Sequence, residues 1–135
     1  MEQVAVILLR NARGEVLLQH RTKDAPTFPD HWAFFGGHIE NGETPEQAII
    51  REALEELAYP LTSPRLINTY DPNDLGFDCT IHVFTEDYSG ADLVLGEGQG
   101  LGWFLPAATG HLLMNDHDRF ILSQFAGVID RAVKT

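Results

Sequence analysis

The segment from Thr44 to Pro60 constrains this chain more than any other, because nearly every residue in it argues for one helix with two opposed faces. Thr44-Pro45-Glu46-Gln47 is a capping-box pattern: Thr at the N-cap, Pro at the first helical position and Gln at the third. The helix must end before Pro60. On a wheel of about 100° per residue, Ile49, Ile50, Ala53, Leu54 and Leu57 gather on one side. Glu52, Glu55 and Glu56 share an acidic arc on the other. The apolar stripe has to cover a sheet. The acidic arc carries a cost, since Glu52 stands i,i+3 to Glu55 and i,i+4 to Glu56, and each like-charged pair loses about 0.2–0.5 kcal/mol unless a cation separates it. Arg51 is an i,i+4 partner of Glu55 alone and relieves only part of this. Such a face is often merely solvated.

Around this helix the sequence reads as short strands. Val4 to Leu9 and Glu15 to His20 form an expected hairpin across Asn11-Ala12-Arg13-Gly14. Trp32 to Phe35, Arg65 to Tyr70, Cys79 to Thr85 and Leu101 to Phe104 are further strands, rich in aromatic and β-branched residues and bounded by Pro, Gly, Asn and Asp. A second helix is expected from about Asp116 to Val133, where Phe120, Ile121, Phe125, Val128 and Ile129 recur at helical spacing. Two long helices interleaved with strands predict α/β/α layers around a sheet. With no repeat or low-complexity tract, residues 1–135 read as one domain.

Charge narrows the function. Nine Lys and Arg face twenty Asp and Glu, a net charge of −11, which repels a nucleic-acid polymer and admits a small anionic substrate only with cations to screen it. A divalent metal is therefore expected. Cys79 is the single cysteine, which excludes an intrachain disulfide and a thiolate zinc site and points to a reducing, cytoplasmic setting. Met1-Glu2-Gln3 has no basic n-region, and no apolar run is long enough to cross a membrane. Nothing in the sequence sets an oligomeric state. Just upstream of the acidic helix, Gly36-Gly37 and the loop His38 to Glu43 are expected to bend the chain and bring backbone carbonyls, Gly36 among them, beside the glutamates. Hard oxygen donors on a rigid helix suit Mg²⁺ or Mn²⁺.

Gly37, Glu43, Arg51, Glu52, Glu55 and Glu56 stand at the spacing G-x5-E-x7-R-E-U-x-E-E-x-G-U, with U an apolar residue, and so resemble the Nudix hydrolase family over a box at residues 37–59. Six of its seven fixed positions match; Ala58 replaces the last glycine and Tyr59 fills the final apolar slot. If that glycine is left-handed, Ala58 costs roughly 1 kcal/mol at the helix end. The resemblance implies a Nudix-type α/β/α sandwich with a mixed β-sheet between helices.

It also implies roles. Glu52, Glu55 and Glu56, with Glu97 in Glu97-Gly98-Gln99 as a further carboxylate of the MutT type, would hold Mg²⁺ or Mn²⁺. Glu52 or Glu97 would be the base for an attacking water, and Arg51 would orient a neighbouring glutamate. The implied reaction cleaves a nucleoside diphosphate linked to another group, first a modified triphosphate such as 8-oxo-dGTP, next a nucleotide sugar or dinucleotide. A Nudix-fold module that senses a nucleotide without cleaving it is the alternative from another class. Asn115 would read the base and Phe34, or Phe35, Tyr70 or Phe77, would stack on it; Asn115 equally suits the N-terminal flank of the last helix, and the aromatics equally suit the core. Competing motifs fail: Asp71-Pro72-Asn73-Asp74-Leu75-Gly76 lacks the ligands of a calcium loop, no phosphate-binding glycine loop is present, and the six histidines include no H-E-x-x-H pair.

Overall fold

The computed structural model describes residues 2–76, 78–96 and 98–133, with side chains throughout except at 74, 75 and 126–133. Phe77 and Glu97 lie outside the described residues. Strand β1 (Gln3–Arg10) turns into β2 (Val16–His20), as the hairpin pattern predicts. Asn11 makes the turn: its side-chain oxygen accepts from the amides of Arg13 and Glu15, both at 3.0 Å, and Gly14 takes φ 79°.

The strand expected at Trp32 to Phe35 is in fact two, β3 (Trp32–Ala33) and β4 (Phe35–His38). Beside the turn β1 and β2 meet at Arg10↔Val16; farther along, β2 takes β3 at Gln19↔Ala33 while β1 takes β4 from Ile7↔Phe35 to Val4↔His38. Phe34 crosses between these two arms. Its amide donates to the Asp118 carboxylate at 3.3 Å, and its carbonyl accepts from Gln19 Nε2 at 3.0 Å, so side chains replace the interrupted ladder. Gly36 and Gly37, expected to bend into a loop, instead lie inside β4. A Cβ on Gly36 would stand 2.0 Å from the Ala5 carbonyl oxygen, so glycine serves close approach of two strands here.

Strand β5 (Arg65–Tyr70) is as expected, β6 (Thr80–Asp87) runs two residues past its predicted end, and β7 (Gly100–Phe104) begins one residue early. Among the described residues seven strands make one mixed sheet, in the path β3-β2-β1-β6-β5, with β1 and β6 parallel and β7 antiparallel to β2. Helix α1 (Pro45–Leu57) covers one face, a short α2 (Pro72–Leu75) follows β5, and α3 (Asp116–Val133) covers the other face. Alternation along β1 divides the core. Ala5, Ile7 and Leu9 pack with Ala48, Ile49, Ala53 and Leu57 of α1, whereas Val6 and Leu8 pack with Ile121, Leu122 and Phe125 of α3. The α/β/α sandwich is thus confirmed.

Candidate active site

Helix α1 begins as its sequence dictates. Thr44 Oγ1 accepts from the Gln47 amide at 3.1 Å, and the Gln47 side chain returns an oxygen to the Thr44 amide at 2.9 Å. Its end is strained, because Ala58 adopts φ 52° and ψ 30° at the C-cap. The division of its faces differs from expectation: Leu54 is 50% exposed, and Glu52 and Glu56 are turned toward the sheet. Geometry explains this. Glu56 lies only about 20° from Ile49 on the helical wheel and Leu54 about 140° away, so the buried stripe and two of the glutamates share one side.

Glycines in β4 make room for those carboxylates. A Cβ on Gly37 would fall 2.6 Å from Glu52 Oε1. The Gly36 amide donates to Glu56 Oε1 at 3.1 Å, and Gln19 Nε2 reaches Glu56 Oε2 at 3.4 Å. Gly36 thus holds Glu56 through its N–H. Gln19, 7% exposed in β2, was not singled out in the sequence; a glutamine directly after the apolar run Val16-Leu17-Leu18, in the same strand, was the available signal.

Arg51 relieves far more of the acidic arc than helical spacing alone suggests. Its Nε and Nη2 grip Glu43 at 2.8 and 3.0 Å, its Nη1 donates to Glu52 Oε1 at 2.9 Å and to Glu55 Oε2 at 3.3 Å, and Nη2 also reaches the His38 carbonyl at 3.1 Å. The hydrogen bonds from Arg51, with the Glu40 amide second, hold the Glu43 carboxyl down to about 2. Bonding to Glu43 above all raises Arg51 further above its usual range. Glu43 is thus the anchor that aims Arg51 between Glu52 and Glu55. Glu55 remains exposed.

Among the described residues, no three His, Cys, Asp or Glu side chains converge tightly enough to form a ready-made metal site. Glu52 and Glu55 share Arg51, and Glu56 leans on Gly36 and Gln19. Their chemistry nonetheless fits Mg²⁺ or Mn²⁺: the donors are hard, anionic oxygens on a rigid helix. A groove of about 490 Å³ opens beside Gln19, walled by Arg21, Thr22, Asp24 and Pro26 on one side and by Gly96 and Gly98 on the other. Gly96 is fixed to α1, its amide donating to the Glu56 carbonyl at 2.8 Å, and a Cβ there would come 2.9 Å from the Glu55 carbonyl oxygen. Both neighbours of Glu97 therefore line the groove.

Of the residues expected to read a base, Phe34, Tyr70 and Asn115 lie on the α3 side and Phe35 on the α1 side. Phe34 is 5% exposed and packed in the core, which leaves little ring surface for stacking. Tyr70 and Phe35 are also buried. Asn115 caps α3, its Oδ1 accepting from the Asp118 amide at 2.8 Å. Asp118 itself was not singled out. Desolvation raises its carboxyl to about 6 despite the bonds from Phe34 and Asn115. No helix among the described residues is long and apolar enough to cross a membrane.

Comparison with known proteins sets this geometry among relatives. A family model described as the NUDIX domain matches residues 1–125. The 8-oxo-dGTP diphosphatase of Escherichia coli K12 is 46% identical over 55 residues, 41% of this chain and 42% of that protein, so the match spans less than half of the relative. The CTP pyrophosphohydrolase of Escherichia coli K12 is 32% identical over 110 residues, 78% of this chain and 76% of that protein. A structure from a study of MutT from Aliivibrio salmonicida and Vibrio cholerae superposes with a TM-score of 0.79 at 22% identity, covering 94% of this chain and 98% of that one. At that identity the likeness concerns the fold.

Proposed function

We propose that this chain, which belongs to the NUDIX domain family, is a Mg²⁺-dependent pyrophosphohydrolase that cleaves a nucleoside diphosphate linked to a further group, with 8-oxo-dGTP as its first substrate and the monophosphate and pyrophosphate as products. One observation carries the reading: Glu52 and Glu56 are lodged against β4 glycines, with Glu56 bonded to Gln19 on the floor of an open groove, although a purely structural helix would place them in water. Glu52, Glu55, Glu56, the Gly36 carbonyl and Glu97 would hold Mg²⁺ or Mn²⁺. An ion held there would supply charge neutralisation for the phosphates and would lower the pKa of a water.

The chain's own residues do the rest. Arg51, clamped by Glu43, holds Glu52 in one orientation and offsets the repulsion between Glu52 and Glu55. Glu52 or Glu97 takes the proton of the attacking water as its oxygen joins phosphorus and the anhydride oxygen departs. Arg21 brings positive charge to the groove wall, where a polyphosphate would lie. Asn115 is assigned to the base, whereas Phe34, buried in the core, has no face to stack on it. The single Cys79 accords with work in the cytoplasm.

The name of the E. coli diphosphatase supports 8-oxo-dGTP, and that of the E. coli pyrophosphohydrolase makes CTP the comparison. The test is a hydrolysis screen with Mg²⁺ or Mn²⁺ across 8-oxo-dGTP, dGTP, CTP, a nucleotide sugar and a dinucleotide. Pyrophosphate release from 8-oxo-dGTP at the highest kcat/KM is expected. Preference for another member reassigns the substrate, and inertness throughout overturns the enzyme in favour of a nucleotide sensor.

A further inference from the structure

The chain from Arg21 to His31 crosses from β2 to β3 as a strap with no helix or strand of its own, and it forms one wall of the groove. Its shape is unusual, since Phe28 and Asp30 take φ 45° and 61°. The other wall holds Gly96 and Gly98, which flank Glu97 in the sequence. Its two walls meet at one carboxylate. Asp30 Oδ1 accepts from His20 Nε2 at 2.9 Å and from Gln99 Nε2 at 2.8 Å, and the same Gln99 amide nitrogen donates to the Arg21 carbonyl at 2.7 Å.

Gln99 has two N–H groups and they are spent on Asp30 and Arg21, while His20 Nε2 faces both the Asp30 carboxylate at 2.9 Å and the Asp30 carbonyl at 3.2 Å. His20 is itself braced, stacked on Trp32 with ring centroids 4.6 Å apart and planes 7° from parallel. Gln99 also donates its backbone amide to the His20 carbonyl at 2.8 Å, and a Cβ on Gly98 would come 2.8 Å from that carbonyl oxygen. The loop is pressed against β2 on one side of residue 97 and tied to α1 through Gly96 on the other.

We infer that Asp30 is a positioning residue: through Gln99 it locks the strap to Gly98 and Gln99 on the far wall, next to Glu97 in the sequence, and so sets the groove's width. This rests on the role proposed above for Glu97. Asp30 touches neither substrate nor phosphorus. Its effect on the reaction has to pass through Gln99 and disappear when Glu97 no longer contributes.

The variant to make is Asp30→Gly, which removes the acceptor and accommodates the left-handed backbone, with Asp30→Asn as the conservative partner that keeps an acceptor oxygen. Amide hydrogen exchange should quicken in Asp30→Gly both over residues 22–30 and at 98–100. Faster exchange in the strap alone overturns the lock. With 8-oxo-dGTP, kcat should fall about 10-fold in Asp30→Gly and in Gln99→Ala, recover most of that loss in Asp30→Asn, and fall no further when Asp30→Gly is added to Glu97→Gln. Multiplying losses in the double variant would overturn the route through Glu97. A silent Glu97→Gln would instead remove the catalytic role of that glutamate and the kinetic part of the inference, leaving the exchange measurement to decide the lock by itself.

Discussion

Two residues show how single side chains set local cost in this fold. Ala58 holds a left-handed conformation at the C-cap, with its amide bonded back to Leu54 at 3.0 Å, in the box position where the family pattern has glycine. A Cβ in that region costs about 1 kcal/mol, so Ala58→Gly should raise Tm by roughly 3–4 °C without altering activity. An unchanged or lowered Tm would mean that the cap is relaxed in solution. Asp118 is costly in a different manner. Its carboxyl is raised to about 6 from an ordinary 3.8, so the folded protein retains a proton that the unfolded chain has already released. Stability contributed by this group is therefore full below about pH 4, falls as pH rises toward 6, and stays reduced above that. Asp118→Asn keeps an oxygen for the Phe34 amide and should be more stable than wild type by up to about 3 kcal/mol at pH 8, with the advantage vanishing near pH 4. Urea titrations at the two pH values check it, and a pH-independent difference would refute the burial argument.

At the scale of elements, the contact between α1 and β4 assigns separate duties to adjacent glycines. A side chain at 36 would strike strand backbone, the Ala5 carbonyl and Val6 Cα, which cannot yield without breaking the β1–β4 pairing. At 37 it would strike only the movable end of Glu52. Gly36→Ala should thus fail to fold or lose more than about 3 kcal/mol, while Gly37→Ala folds and loses about 10²-fold in kcat because Glu52 is displaced. Equal behaviour of the two would refute the contact. The same interface shows what the sequence discloses. The capping box, Asp116 as a helix start and the hairpin turn are local, encoded within a few residues, and all were legible. Phe34 breaking its strand in two was not, because the break depends on Gln19 and Asp118, which lie 15 and 84 residues away. The inward tilt of Glu52 and Glu56 was missed for a similar reason: polarity suggested water, and the glycines that admit them belong to another element. Box spacing marked the right helix, and the groove walls at 21–26 and at Gly96 and Gly98 became visible only once β2 and β7 were paired.

For the whole molecule, a net charge of −11 makes every added anion unfavourable, and the acidic face of α1 is where that burden concentrates. Arg51 compensates four carboxylates at once, Glu40, Glu43, Glu52 and Glu55. Divalent cation binding should therefore couple to folding, because only the folded chain brings Glu52, Glu55 and Glu56 to one face. At a concentration ten times its Kd, Mg²⁺ would add about 1.4 kcal/mol, or roughly 5 °C in Tm for a chain of this length. General screening of the negative charge also stabilises, so the comparison must be made against NaCl at equal ionic strength. The expected result is an excess shift in Mg²⁺ over NaCl that saturates with concentration and shrinks sharply in Glu56→Gln, a variant that should fold while losing about 10²-fold in turnover. If Mg²⁺, Mn²⁺ and matched NaCl raise Tm alike, the glutamates respond only to ionic strength and the metal site on α1 is refuted. If the excess shift survives in Glu56→Gln, the ion binds elsewhere on this acidic surface, and the residues assigned to hold it are the wrong ones.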